Sequence, residues 1–294
     1  MLKLQTPVAD PPCKVGISYK DRILMLGSCF SDSIGRQLSD FGFDVCINPF
    51  GTLYNPISIL HSIEMLAGDK TFKTDGCIQI GAGDERWCSF SHHTSFARNT
   101  QEEFVTDANE ALDAARCFFA SCNKLIITLG TAWCFRNIAS GNVVSNCLKR
   151  PASEFTRERL TSGEVDNTLH KIADLCRGKQ IILTVSPIRH FKDGAHGNQI
   201  SKSTLLLGIE DFLGGCPVDL SMNPHYPADY FPAYEIMMDE LRDYRFYAED
   251  MCHPSVQAVD YIRERFLSWA LPVEEHPSLE ENIREFNRNS HKKF

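Results

Sequence analysis

Short runs of consecutive apolar residues recur along this chain, each closed by a glycine, a serine or a polar loop. Between them lie longer stretches whose apolar positions return every three or four residues. Residues 22–26 (R-I-L-M-L), closed by Gly27, read as a strand buried on both faces. Ile34, Leu38 and Phe41 then fall at helical spacing over 32–41, and Gly42 stops that helix. A second strand over 43–47 ends in the loop Asn48-Pro49-Phe50-Gly51, and Pro56 opens a helix through Leu66. The alternation breaks over 69–99, where Gly76, Gly81, Gly83 and two short strand-like runs predict a hairpin insertion. It resumes with a helix over 101–120 and the strongest strand, 124–129 (K-L-I-I-T-L), closed by Gly130-Thr131. Residues 133–137 and 143–147, joined through Ser140-Gly141-Asn142, read as a hairpin. A helix is expected over 151–176 with a break at Gly163, then a buried strand over 180–185 ending in Ser186-Pro187. An amphipathic helix over 198–212, a short helix over 234–241 and a last core helix over 255–269 complete the pattern.

Strand–helix alternation with continuously apolar strands predicts an α/β fold in which a central parallel sheet is covered on both faces. No internal repeat or low-complexity linker interrupts it, so one domain is expected over 15–272, with the insertion at 69–99. The charged tail, 273–294, carries only Leu279, Ile283 and Phe286 at helical spacing. Composition adds exclusions more than assignments. A net charge of -8 argues against a nucleic-acid groove, which needs a basic stripe. No stretch approaches the roughly 20 apolar residues of a membrane span, and residues 1–14 have no apolar core of a secretory signal. The 12 cysteines form no C-x-x-C pair, and Cys46, Cys88, Cys134 and Cys176 lie within apolar runs, as expected of a reduced cytoplasmic protein. No phosphate-binding or dinucleotide motif follows a strand, so no cofactor is expected. His92-His93 lacks partners at metal-ligand spacing and reads as a solvated loop; no metal is expected.

In an open α/β sheet the reactive groups gather where strands end. Ser28 follows the first strand, Gly51 the second, Gly130 and Thr131 the third, and Ser186 the fourth. Asp250 and His253, in Asp250-Met251-Cys252-His253-Pro254, precede the last core helix. An aspartate and a histidine three residues apart on one loop can pair, and the imidazole can then take a proton from a nucleophile. Ser28 at a strand-to-helix turn is the expected nucleophile. Cys29 is its rival, because a thiol at a helix N-terminus is open to activation, while Ser31 and Ser33 lie further into the helix. Each feature also has an inert explanation: Ser28 as a helix cap, and Asp250 with His253 as a helix N-terminus before Ser255. Arg189 and His190 follow a strand and are placed at the rim, to bind an acidic or sugar group or to serve as a surface ion pair and a satisfied histidine.

The phrase Gly27-Ser28-Cys29-Phe30-Ser31 resembles the signature of the GSCFA domain family, which has alanine where this chain has Ser31. The stretches N-P-F-G-T-L-Y-N-P from Asn48, L-G-T-A-W from Leu129, T-V-S-P-I-R-H from Thr184 and Y-R-F-Y-A-E-D-M-C-H-P from Tyr244 support the resemblance. More broadly, the arrangement is similar to the SGNH (GDSL-type) hydrolases, which implies a flavodoxin-like three-layer α/β/α sandwich. The resemblance implies an esterase or deacylase that forms an acyl-enzyme at Ser28, with His253 as general base and Asp250 holding the imidazole. A small-molecule or glycan ester would be the substrate. An acyltransferase, or a binding protein that keeps the cleft without catalysis, are the alternatives. For the oxyanion hole it implies the amides of Ser28 and Gly51 and an asparagine. The expected G-x-N-D reads Gly130-Thr131-Ala132-Trp133 here, which leaves Asn146 or the Thr131 hydroxyl as replacements.

Overall fold

A computed structural model describes residues 6–214 and 227–291. Five parallel strands form the central sheet: β1 (Arg22–Gly27), β2 (Asp44–Ile47), β3 (Lys124–Leu129), β4 (Gln180–Val185) and β5 (Ala228–Phe231). Their order, β5-β4-β3-β1-β2, reverses direction between β1 and β3. That order is flavodoxin-like, and ligands of such sheets bind in the crevice beyond the carboxyl ends of the strands at the reversal. Successive strand residues face opposite layers. Leu24, Leu26, Leu125 and Ile127 pack on helices α2 (Pro56–Ala67), α3 (Gln101–Ser121), α4 (Ser162–Leu175) and α5 (Gly194–Gly214). Ile23, Met25, Ile126 and Ile182 pack on α1 (Cys29–Asp40) and α6 (Val256–Ala270). Two buried cores therefore sandwich the sheet.

Helix starts are set by short polar side chains. The Ser28 hydroxyl caps α1, Asn55 caps α2 with Pro56 in the first turn, and Thr100 and Thr161 form capping boxes with Glu103 and Glu164. The segment at 69–99 contains an antiparallel pair, Ile78–Gln79 with Trp87–Cys88. The tail forms α7 (His276–His291), whose Leu279, Ile283 and Phe286 pack on the second core, with the Asn282 amide donating to the Phe41 carbonyl at 2.9 Å.

Three expectations need correction. The helix expected over 151–176 is a strand, Phe155–Arg159, followed by α4. That strand pairs with Trp133–Asn137, which also pairs with Val143–Val144. The capping box at Thr161 marks the true helix start, and the alternating polar residues of Phe155–Arg159 suit a half-exposed strand. Strand β5 escapes sequence reading because it is short and carries Asp229. That carboxylate is buried and accepts the amides of Lys14 and Val15, both at 2.5 Å. His92 is not solvated: its ring is fully buried among Phe50, Phe72, Phe96 and Phe104.

Candidate functional site

Strand β1 ends in a turn held by Asn48. Its Oδ1 accepts the Gly27 amide at 2.8 Å, its Nδ2 donates to Asp32 at 2.7 Å, and its own amide donates to the Met25 carbonyl at 2.9 Å. Asn48 adopts a left-handed backbone (φ 41°), a conformation asparagine tolerates better than most residues. Gly27 has φ 139°, and a Cβ there would stand 2.2 Å from the Thr128 carbonyl oxygen. The turn thus brings the chain against β3 and aims the first residues of α1 into the crevice.

The residue so aimed is Cys29. The Ser28 side chain is fully buried, and its Oγ accepts the Phe30 amide at 3.3 Å. Ser28 is the cap of α1, and the thiol of its neighbour Cys29 is the side chain that faces His253. Cys29 is partly exposed, and its Sγ lies 3.8 Å from His253 Nε2. Ser31 is buried on Thr128 Oγ1, and Ser33 donates to the Cys29 carbonyl, so neither reaches the crevice chemistry.

His253 sits on the loop before α6. Its Nδ1 lies 2.5 Å from Asp250 Oδ2, while Asp250 Oδ1 accepts the amides of Cys252 and His253, both at 2.9 Å. These amides, with His253's own first, hold the Asp250 carboxyl down to about 2. An ionised carboxylate at Nδ1 keeps the proton there and leaves Nε2 as the acceptor facing the thiol. Met251, with φ 56°, supplies the turn that lets both ends of the loop meet. Helix capping is not their task, because Ser255 Oγ accepts the Ala258 amide and caps α6.

Burial pushes the Cys29 thiol up. Its own amide and that of Phe30 pull it down, Asp32 pushes it up, and Lys202 pulls it down. The amide of Cys29, as the first of its helix, has no acceptor within the helix and faces the sulfur.

Of the oxyanion donors expected from sequence, the two backbone amides are engaged elsewhere. The Ser28 amide donates to the Thr128 carbonyl at 3.3 Å and the Gly51 amide to the Asn48 carbonyl at 2.7 Å. Gly51 (φ 82°) is needed for space, since a Cβ there would lie 2.3 Å from His93 Cβ. The Thr131 hydroxyl turns away from the crevice to Ser201 Oγ at 2.9 Å and takes the Trp133 amide at 3.1 Å. Asn146 Oδ1 accepts the Leu148 amide at 2.8 Å and so shapes the left-handed turn at Leu148 and Lys149.

Arg189 and His190 lie against the Asp250–His253 loop and Tyr54. The Arg189 amide donates to the Cys252 carbonyl at 3.1 Å, tying this wall to the Asp250–His253 loop, and its guanidinium stacks over Phe191. The His190 ring stands edge-on to Tyr54, and burial, then Lys202, push it down to about 4, so it is neutral at pH 7. Sequence reasoning missed three residues. Asn48 and Tyr54 lie within the quoted N-P-F-G-T-L-Y-N-P stretch; the Tyr54 carbonyl accepts the amides of Gly130 (2.8 Å) and Thr131 (2.9 Å). Lys202 is the third, and its signal is its place on the inward side of α5, in line with Asn198, Leu205 and Ile209.

A family model matches residues 22–266, that of the GSCFA family. No curated protein matches the chain. One similar solved structure is that of an acetyl xylan esterase, Est2A, from the rumen bacterium Butyrivibrio proteoclasticus, at 14% identity and a TM-score of 0.37. The match covers 86% of this chain and 65% of that one, so the chain spans just under two thirds of that enzyme's length. No helix among the described residues is long and apolar enough to cross a membrane.

Proposed function

Starting from the GSCFA family, to which the chain belongs, we propose that the protein is an acyl hydrolase working through the thiol of Cys29. The observation that carries this reading is the relay Cys29 Sγ, His253 Nε2, His253 Nδ1, Asp250 Oδ2 across one crevice at the sheet's reversal. His253 takes the thiol proton as sulfur attacks the carbonyl carbon of an ester, and Asp250 stabilises the imidazolium. Collapse of the tetrahedral species breaks the C–O bond. His253 returns the proton to the leaving alcohol, leaving an S-acyl enzyme. Water, deprotonated by His253, attacks that thioester, releases the carboxylic acid and regenerates the thiol. The free amide at Cys29 is the first oxyanion donor.

The test is acylation of the purified protein by p-nitrophenyl acetate, with the acetyl group located by mass spectrometry. Acetyl on Cys29 that is lost in His253→Ala supports the reading. Acetyl on Ser28, or labelling of Cys29 no faster than of the exposed Cys117, overturns it.

A further inference from the structure

Apart from the Cys29 crevice, the molecule holds a second cleft of about 930 Å³. It lies between α2, the 69–99 insertion and the hairpin that joins Trp133–Asn137 to Val143–Val144. That volume is at the upper end for small-ligand sites, roughly 300–1,000 Å³. None of Cys29, Asp250 and His253 lines it. One face of α2 contributes Ser58, His61 and Ser62, at i, i+3 and i+4. Ser58 is only 1% exposed, and its hydroxyl has no hydrogen-bond partner among the described residues. A helical serine can give its proton to the carbonyl one turn back. Here that carbonyl is Tyr54's, which already accepts the amides of Gly130 and Thr131. An unmet buried hydroxyl is costly, and an alanine would remove the cost. A serine held there on the floor of a cleft fits a ligand hydroxyl.

Apolar surface comes from Phe50, Phe72 and Phe90. These rings are held in place. The Asn109 side chain accepts the Phe72 amide at 2.9 Å and donates to its carbonyl at 3.0 Å. Phe50 meets Phe72 edge-on, with centroids 6.2 Å apart. The Phe90 carbonyl accepts the amides of Ser145 at 2.9 Å and Asn146 at 3.2 Å, which ties the insertion to the hairpin. Charge is confined to the exposed Glu64, Asp69 and Lys70, and Lys70 is the one cationic side chain on the lining among the described residues. Burial holds the His61 imidazole below its ordinary value, so that ring is neutral at pH 7. An anionic ligand would therefore find no countercharge on the floor, and a purely apolar one would leave the hydroxyls unmet.

We propose that this cleft binds a short, neutral oligosaccharide, whose hydroxyls meet Ser58, His61 and Ser62 while its C–H faces lie on the phenylalanine rings. The proposal goes beyond the acyl-hydrolase reading and stands without it. The experiment is calorimetric titration of the full chain with cellohexaose and with maltohexaose, neutral chains of opposite anomeric linkage. At least one should bind the wild-type protein. Ser58→Ala should weaken that binding about tenfold, the loss of one hydrogen bond. The same variant should melt no earlier than wild type, because it removes an unmet hydroxyl. No binding of either chain up to about 10 mM overturns the proposal. So does a Ser58→Ala protein that melts earlier and binds with the wild-type Kd, which leaves Ser58 a structural residue. If Ser58→Ala does not fold, the wild-type protein decides. A neutral ligand predicts an affinity unmoved between about 50 mM and 500 mM salt, and one that falls with salt overturns the proposal. Tighter binding of trigalacturonic acid, a charged chain, also overturns it. Binding is read without an ester, so sugar binding and Cys29 acylation fail separately.

Discussion

Acid should loosen the wall beside the Cys29–His253 crevice through one histidine. His92 is fully buried among four phenylalanine rings, with Nδ1 2.7 Å from Ser89 Oγ, and burial pushes it down to about 3. In the unfolded chain it titrates near its ordinary value of about 6.5. Between those values the unfolded state binds the extra proton, so stability falls as pH drops from 6.5 toward 3 and is intact above 6.5. Linkage over that window puts the loss at about 2 kcal/mol at pH 5 and about 3 kcal/mol at pH 4. For a chain of this size, about 2 kcal/mol corresponds to a melting shift of about 3 °C. The strain would land beside the crevice, because His92 packs on Phe50 and the His93 amide donates to the Phe50 carbonyl at 3.0 Å. The assay is urea unfolding at a series of pH values for the wild-type protein and His92→Gln. The substitution should flatten the slope between pH 7 and 4 by that amount, whatever it does to absolute stability. Equal slopes in the two proteins would refute the assignment of the acid sensitivity to His92.

Ser28→Ala should cost about 1 kcal/mol in denaturant melts through loss of the α1 cap, while Cys29 still acylates at a rate within about threefold of wild type; loss of acylation with an intact fold would return the nucleophile to Ser28. Asp250→Asn should slow Cys29 acylation by about two orders of magnitude, less than a buried orienting carboxylate gives because Asp250 is half exposed. A rate within twofold of wild type, measured by stopped-flow release of p-nitrophenol, would remove Asp250 from the relay.

The sheet was legible because parallel strands buried on both faces must be apolar without interruption, as I-L-M-L and K-L-I-I-T-L are, and because glycine closes them. The edge was not legible. Strand β5 carries Asp229, whose burial is compensated by amides more than 210 residues away in sequence, and no local pattern reports such a partner. The pairing of Asp250 with His253 could be read because the two residues are three apart and share one turn. Which of two neighbouring side chains meets His253 could not be read from sequence. Ser28 and Cys29 are adjacent, and which one faces the crevice depends on the dihedral angles of the cap and on Gly27's approach to Thr128. The backbone amides expected at the oxyanion hole lie at strand ends as read, but local sequence does not report that Ser28 and Gly51 donate to the carbonyls of Thr128 and Asn48. Lys202 was hidden by the assumption that charged residues on an amphipathic helix face water.

The single-residue step from Ser28 to Cys29 also bears on how this scaffold can drift. Some serine and cysteine codons differ by a single base, so the atom facing His253 can change from sulfur to oxygen without any shift in the backbone. Such a swap would leave the Asn48 knot, the cap at Ser28 and the Asp250–His253 loop untouched. It would trade a soft thiol for a hard hydroxyl that depends entirely on its base. A lineage built on this turn can therefore cross between thiol and alcohol chemistry in one mutation.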